Sequence, residues 1–288
     1  MAKKKTTKRN GDDAKALATR PEEETMPEFI AQEEETGTEV MEEYRVVPRL
    51  KIVQDSSQRV LKERFDVGTC IVASTQEVLS LPSDDNDEEG EPFEVIPLFF
   101  FPEWMTCNDI KNQAAGMIRY RTTDKKDPIV QKARNPELRE EKDPDNPQFK
   151  IMHTEVLNFV CIVDMPGHPM HEQIVLIGFA RAEHITGRNL CGLLTSRKAP
   201  VYGQRIRFTP RLRPPRNGGD WWGLDFQSAG WVQDAEQFAY LKEQHLELKD
   251  LHERSKLVPS EDLDETDLEA TPATEDGLSG GDEEETEM

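Results

Sequence analysis

The sequence predicts a mainly β, α+β fold: antiparallel strands joined by long insertions, with one internal helix, one C-terminal helix and disordered termini. Three observations predict it. Alternating or continuous apolar runs recur through residues 44–256, separated by Gly, Pro, Asn and Asp clusters that mark turns. Helical spacing is confined to two windows, 183–196 and 234–253. The charge is gathered at the ends rather than spread along the chain.

Of the net charge of −21 on 288 residues, residues 1–20 carry seven Lys or Arg against Asp12 and Asp13. Residues 21–43 carry ten Glu and no base, and residues 257–288 carry thirteen acids and no base, which leaves −3 on residues 44–256. Polar, charge-blocked segments bury too little apolar surface to offset the entropy of ordering. The expected organisation is a disordered arm over 1–43, basic then acidic, a β-rich domain over 44–256 and a disordered acidic tail over 257–288. The basic start, Lys3 to Arg9, either adds nonspecific nucleic-acid affinity or serves solubility.

The first strand is expected over 44–54, with Leu50 and Ile52 inward and Arg49 and Lys51 outward. Residues 67–73 form a short second strand, and the acidic stretch 84–91 a hairpin connection. Residues 93–104 are the most apolar run in the chain. Their continuity predicts a strand buried on both faces at the centre of a sheet, interrupted near Pro97. Most of Phe99, Phe100, Phe101 and Trp104 are expected in the core, with one or two at the rim as base-stacking platforms.

Residues 116–121 suggest a short strand with Arg119 and Arg121 on one parity and Tyr120 on the other. Asp127-Pro128, Asn135-Pro136, Asp143-Pro144 and Asn146-Pro147 read as turn signals, so 124–148 is expected to be a mobile insertion. Residues 149–165 and 173–182, split by Pro166-Gly167-His168-Pro169, predict an antiparallel pair. The C-terminal helix places Phe238, Leu241, His245, Leu248 and His252 near one stripe, which packs on the domain or pairs with a second copy. Asp234 stands at its start, as N-cap or first-turn acid.

The chemistry concentrates between residues 197 and 216, which hold seven basic residues and no acidic one. Tyr202, Ile206, Phe208 and Leu212 share one parity, and Arg205, Arg207, Arg211 and Arg213 the other. After a turn over 214–220, Trp222, Leu224 and Phe226 resume the inward face and bring Trp221 out on the arginine side. Cations that follow phosphates and a ring that stacks on bases make a sequence-tolerant grip for single-stranded nucleic acid. Arg205, Arg207, Arg211 and Arg213 would hold phosphates, and Trp221 with Tyr120 or Tyr202 would stack. Arg49 and Lys51 would extend the path, as would Arg119 and Arg121. The alternative is a solvated face whose arginines pair with Asp225 or with carboxylates elsewhere.

Other chemistries find little support. Cys70, Cys107, Cys161 and Cys191 are widely spaced and read as core thiols of a reducing compartment. His168 and His171 form one weak ligand pair where zinc sites carry two close pairs, so neither metal nor cofactor is expected. Phosphate-loop, nucleophile-elbow and zinc-protease motifs are absent, which points to a binding protein rather than an enzyme. The longest apolar run falls short of the roughly 18 residues that span a bilayer. With no signal-peptide core, the expectation is a soluble cytoplasmic protein with no membrane partner.

Taken together, the strand 205–213, the return strand at Trp221-Trp222, the Gly230-Trp231 corner and the acidic stretch 261–287 resemble phage-encoded single-stranded DNA-binding proteins. The chain is similar also to a wider set of phage proteins with a Pro-Arg-Leu-Lys start, Pro48 to Lys51, and an aromatic strand from Val95 to Phe100. The resemblance implies an OB-like antiparallel barrel. It also implies single-stranded DNA as partner, in the host cytoplasm, and an acidic tail that competes with DNA or recruits replication or recombination proteins. This chain ends Glu285-Thr286-Glu287-Met288, without the terminal aromatic residue common in such tails. The competing expectation is a virion or assembly protein that forms homo-oligomers and ignores DNA.

Overall fold

The computed structural model describes residues 45–55, 57, 59–83, 88–108, 118–214, 221–255 and 257–259. The expected disordered ends, the tip of the acidic connection at 84–87 and the turn at 215–220 lie outside these residues.

Two long strands form the centre. β5 (Phe93–Asn108) and β8 (Lys150–Val163) pair antiparallel from Val95↔Val163 to Asn108↔Ile151. The continuous apolar run therefore does form a central strand. A register shift between Pro97 and Phe99 marks the interruption expected at the proline, which cannot donate to a ladder. The pair 149–165 and 173–182 is present as β8 with β9 (Ile174–Ala180).

On the other edge of β5, β10 (Gln204–Arg213) pairs with residues 93–95 and β6 (Ile118–Thr122) with residues 104–107. β11 (Trp221–Trp231) returns antiparallel on β10, and β7 (Glu140–Lys142) lies on β8. The smaller sheets are β2 (Leu50–Ile52), β3 (Cys70–Val72) and β4 (Val78–Ser80), and the parallel pair of β1 (Arg45–Val47) with β12 (Leu257–Pro259). Residues 257–259, assigned by composition to the tail, thus belong to the folded body, and Leu257 is buried.

Among the described residues the strands form an open seven-stranded sheet rather than the expected closed barrel. Two point links take the place of ladders. Arg49 bridges Leu176, whose N–H donates to the Pro48 carbonyl (2.8 Å). The Gln54 carboxamide bonds both backbone groups of Trp222, each at 2.8 Å.

Because β5 and β8 are apolar on both faces, both faces are covered. One face, with Phe93, Val95, Phe159, Cys161 and Ile206, packs with β3, β4 and α3 (His184–Ser196) through Leu190 and Leu194. At Gly187 a Cβ would stand 2.7 Å from Phe179, so glycine lets α3 sit against β9. The other face, with Leu98, Phe101, Val160 and Leu176, packs with Val47, Leu257 and α4 (Ala235–Glu253) through Leu241 and Leu248. The α4 stripe thus meets the domain, and Asp234 is its N-cap, accepting from the Gln237 N–H (2.6 Å).

The segment 124–148, expected to be a mobile insertion, contains a helix and the strand β7. Asp127-Pro128 is a helix start: Asp127 accepts from the Ile129 N–H (2.9 Å) and Pro128 opens α2 (Pro128–Arg134). Ile129, Val130 and Ala133 close over Trp104. Another helix among the described residues, α1 (Arg59–Arg64), lies between β2 and β3.

A buried ion pair ties β2 to the central sheet. Arg49, only 8% exposed, donates from Nη2 to Glu103 Oε2 (2.8 Å) and from Nη1 to Asn158 (3.2 Å), and Asn158 also donates to Glu103 (3.1 Å). Removing one member strands a buried charge. Glu103→Ala is therefore expected to cost about 3–5 kcal/mol, and the double change Arg49→Met with Glu103→Met less than the sum of its parts. Urea denaturation of Glu103→Ala, of the two single methionine changes and of the double change measures this, and single changes within about 1 kcal/mol of wild type contradict it.

Candidate nucleic-acid interface

The alternation read from the sequence sets the two faces of β10. Gln204, Ile206, Phe208 and Pro210 are buried, and the intervening arginines stand on the outer face. Register puts Arg213 opposite Trp221, Arg211 opposite Gly223, Thr209 opposite Asp225 and Arg207 opposite Gln227. The arginines and Trp221 are brought to one surface, with successive same-face residues about 6.8 Å apart. Trp222 points to the other face, where its indole covers Gly68.

The electrostatics differ from the bare cationic track expected. Arg205 reaches Asp164 (2.6 Å) and Glu94 (3.0 Å), and Arg207 donates to Glu94 from Nε (2.9 Å) and Nη2 (2.6 Å). Arg211 contacts Glu89 and Asp225, and Arg213 contacts Asp225. The run from 197 to 216 holds no acid, but β5, β11, the connection before β5 and the residue after β8 bring four to it. A further carboxylate, Glu183, enters under Trp221, accepts from the Leu224 N–H (3.1 Å), and with the indole fills the space a side chain at Gly223 would take. Burial raises its pKa.

Other nominated residues are placed elsewhere. Arg49 is buried against Glu103 and does not face outward, because the chain bridges to Leu176 at this residue. Lys51 is half-buried, at a cleft of about 280 Å³ between β2 and β9. Tyr202 stacks on His245 (4.9 Å) and Phe238 (5.3 Å), and is committed to the α4 contact rather than to an open surface. Tyr120 is 48% exposed, but its hydroxyl donates to Asp127. Arg121 lies 3.6 Å from Glu103. Arg119 clamps Asp143, also reaching Asp145 (3.2 Å), and so holds an ordered turn. Neither β6 arginine is a free cation.

One aromatic site was missed: Trp231, 43% exposed, with the Arg197 guanidinium 5.1 Å from its ring. Position past the Gly230 corner was its only signal. His168 and His171 serve their own turn, accepting from the Met170 N–H (3.1 Å) and the Met165 N–H (3.2 Å). Cys70, Cys107 and Cys161 are buried, Cys191 is partly so, and burial raises all four thiols. No helix among the described residues is long and apolar enough to cross a membrane.

The Arg119 guanidinium holds the Asp143 carboxyl below its ordinary pKa. Stability from a depressed acid is full above its unfolded pKa, near 4, and is lost as pH falls through the lower folded value. Thermal melts of wild type and Arg119→Ala should therefore differ most at neutral pH and converge below about pH 4. A gap that stays constant with pH excludes this ionic contribution.

Comparison with known proteins yields one relationship. No curated protein and no solved structure matches the chain. The family model of the Pam3 phage gp34-like protein matches residues 18–253, which include every strand and helix of the folded body up to the end of α4. The chain belongs to the Pam3 phage gp34-like family.

Proposed function

We propose that this phage protein binds single-stranded DNA, without catalysis and with little sequence preference, in phage replication or recombination. The observation that carries the reading is the row of Arg205, Arg207, Arg211 and Arg213 on one face of β10, with the partly buried Trp221 directly opposite Arg213. Phosphates have guanidinium donors along the strand and a base has an indole beside them. In this reading the sheet is an opened form of the OB-type barrel, held by its links at Leu176 and Trp222.

The carboxylates define the mechanism. Glu94, Asp164, Glu89 and Asp225 hold the guanidinium groups in place and compete with phosphate for them. The stretch 260–288, with thirteen acids and no base, competes with DNA for the same cations and is available to recruit replication or recombination proteins. A second reading, a virion or assembly protein indifferent to DNA, is favoured by that same pairing, since a self-neutralised face needs no polyanion.

Fluorescence anisotropy of a labelled poly-dT oligonucleotide over a salt series separates the two. Arg207→Ala with Arg211→Ala should lower the slope of log affinity against log salt by about 1.4, two phosphates at about 0.7 each. Trp221→Ala should weaken binding roughly tenfold with the slope kept. Glu94→Gln, checked for an unchanged melt, should tighten binding by freeing Arg207 and leaving Arg205 with Asp164 as its one acid. If neither wild type nor Glu94→Gln binds at low salt, the DNA reading falls and the assembly reading takes its place.

A further inference from the structure

β5 is paired along one edge by β10 over 93–95 and by β6 over 104–107. Between them no strand of the described residues pairs with that edge, and a cleft of about 380 Å³ opens there. At an open edge, side chains from both faces of a strand can reach one space. Phe99 and Phe101 come from one side and Phe100, 37% exposed, from the other.

α4 supplies the opposite wall. His252 stacks on Phe101 with ring centroids 4.2 Å apart, and burial lowers its pKa, which favours the neutral ring. His245 donates its Nδ1–H to the Leu98 carbonyl (2.8 Å), which satisfies that edge group and fixes the tautomer. The rim carries Lys125 and Lys249. Lys125 makes no ion pair among the described residues, whereas Lys249 lies 3.9 Å from Glu253, the acid lining the cleft. Flat aromatic walls with two ammonium groups at the mouth match an aromatic heterocycle that carries an anion.

We infer that this cleft is a nucleotide subsite: the base lies against Phe100 and His252, and its phosphate is met by Lys125 and Lys249. The arginine face does not contribute to it. A strand held there and a free nucleotide offer the same chemistry, so the source of the nucleotide is set by experiment. As a site on DNA the inference rests on the proposed function; as a site for a free nucleotide it does not.

The test is photocrosslinking of the full-length protein with 5-iododeoxyuridine, presented within a dT oligonucleotide and as the 5′-monophosphate, with adducts mapped by mass spectrometry. The expected adducts fall on residues 99–102 or 245–253. Phe100→Ala should lower their yield at least about fivefold. Lys125→Ala with Lys249→Ala should do the same, both variants retaining the wild-type melt. Oligonucleotide that binds and crosslinks only at 205–231 overturns the cleft while leaving the DNA reading intact. Monophosphate adducts in the cleft with no oligonucleotide binding establish a free-nucleotide site and remove the DNA reading. Adducts from neither ligand, or yields unchanged in both variants, overturn the inference.

Discussion

The structure depends on the β5–β8 ladder. Two strands of 16 and 14 residues, apolar on both faces, cannot lie at a surface, so every other element is placed by the need to cover them. The three-stranded sheet and α3 take one face, and α4 with β1 and β12 takes the other. β10 and β6 share one edge of β5, while β9 and β7 share the far edge of β8. Among the described residues, the stretch Phe99–Pro102 is left unpaired on that edge, between the pairings of β10 and β6.

Charge follows the same geometry. The folded region is close to neutral, and the cations of β10 and the buried Arg49 meet their acids across strands, while the helices carry local pairs such as Lys249 with Glu253. Arg49 meets Glu103, Arg207 meets Glu94, and Arg211 meets Glu89. Each contact joins residues at least 54 positions apart. A surface of this kind presents guanidinium groups of fixed orientation at little net charge. That favours recognition by geometry over attraction at a distance, since long-range steering needs unbalanced charge.

The parts legible in the sequence were those with a local period. The two faces of β10, the outward turn of Trp221, the central place of β5, the β8–β9 pair and both long helices follow from alternation, apolar continuity or helical spacing. What was not legible is non-local. Nothing near Arg49 in the sequence marks it as buried, because its partners Glu103 and Asn158 lie on other strands. Absence of acid between 197 and 216 could not reveal the acids on β5, on the connection before it and on β11. Asp127-Pro128 was read as a turn although the same dipeptide opens a helix, the difference being the Ile129, Val130 and Ala133 face that Trp104 requires. Barrel closure failed for the same reason, since it depends on whether β2 and β9 pair along their length, and among the described residues that pairing is reduced to the bridge of Arg49, the residue before β2, to Leu176.

The parallel pairing of β1 with β12 has a consequence for how the protein is made. β1 is the first described strand to emerge from the ribosome, and its one ladder partner among the described residues begins at Leu257, some 210 residues later. At about 5–20 residues per second, roughly 10–40 s separate their syntheses. Over that interval the Val47 corner of the core has no Leu257 to close it. This corner is therefore completed after the sheet it covers.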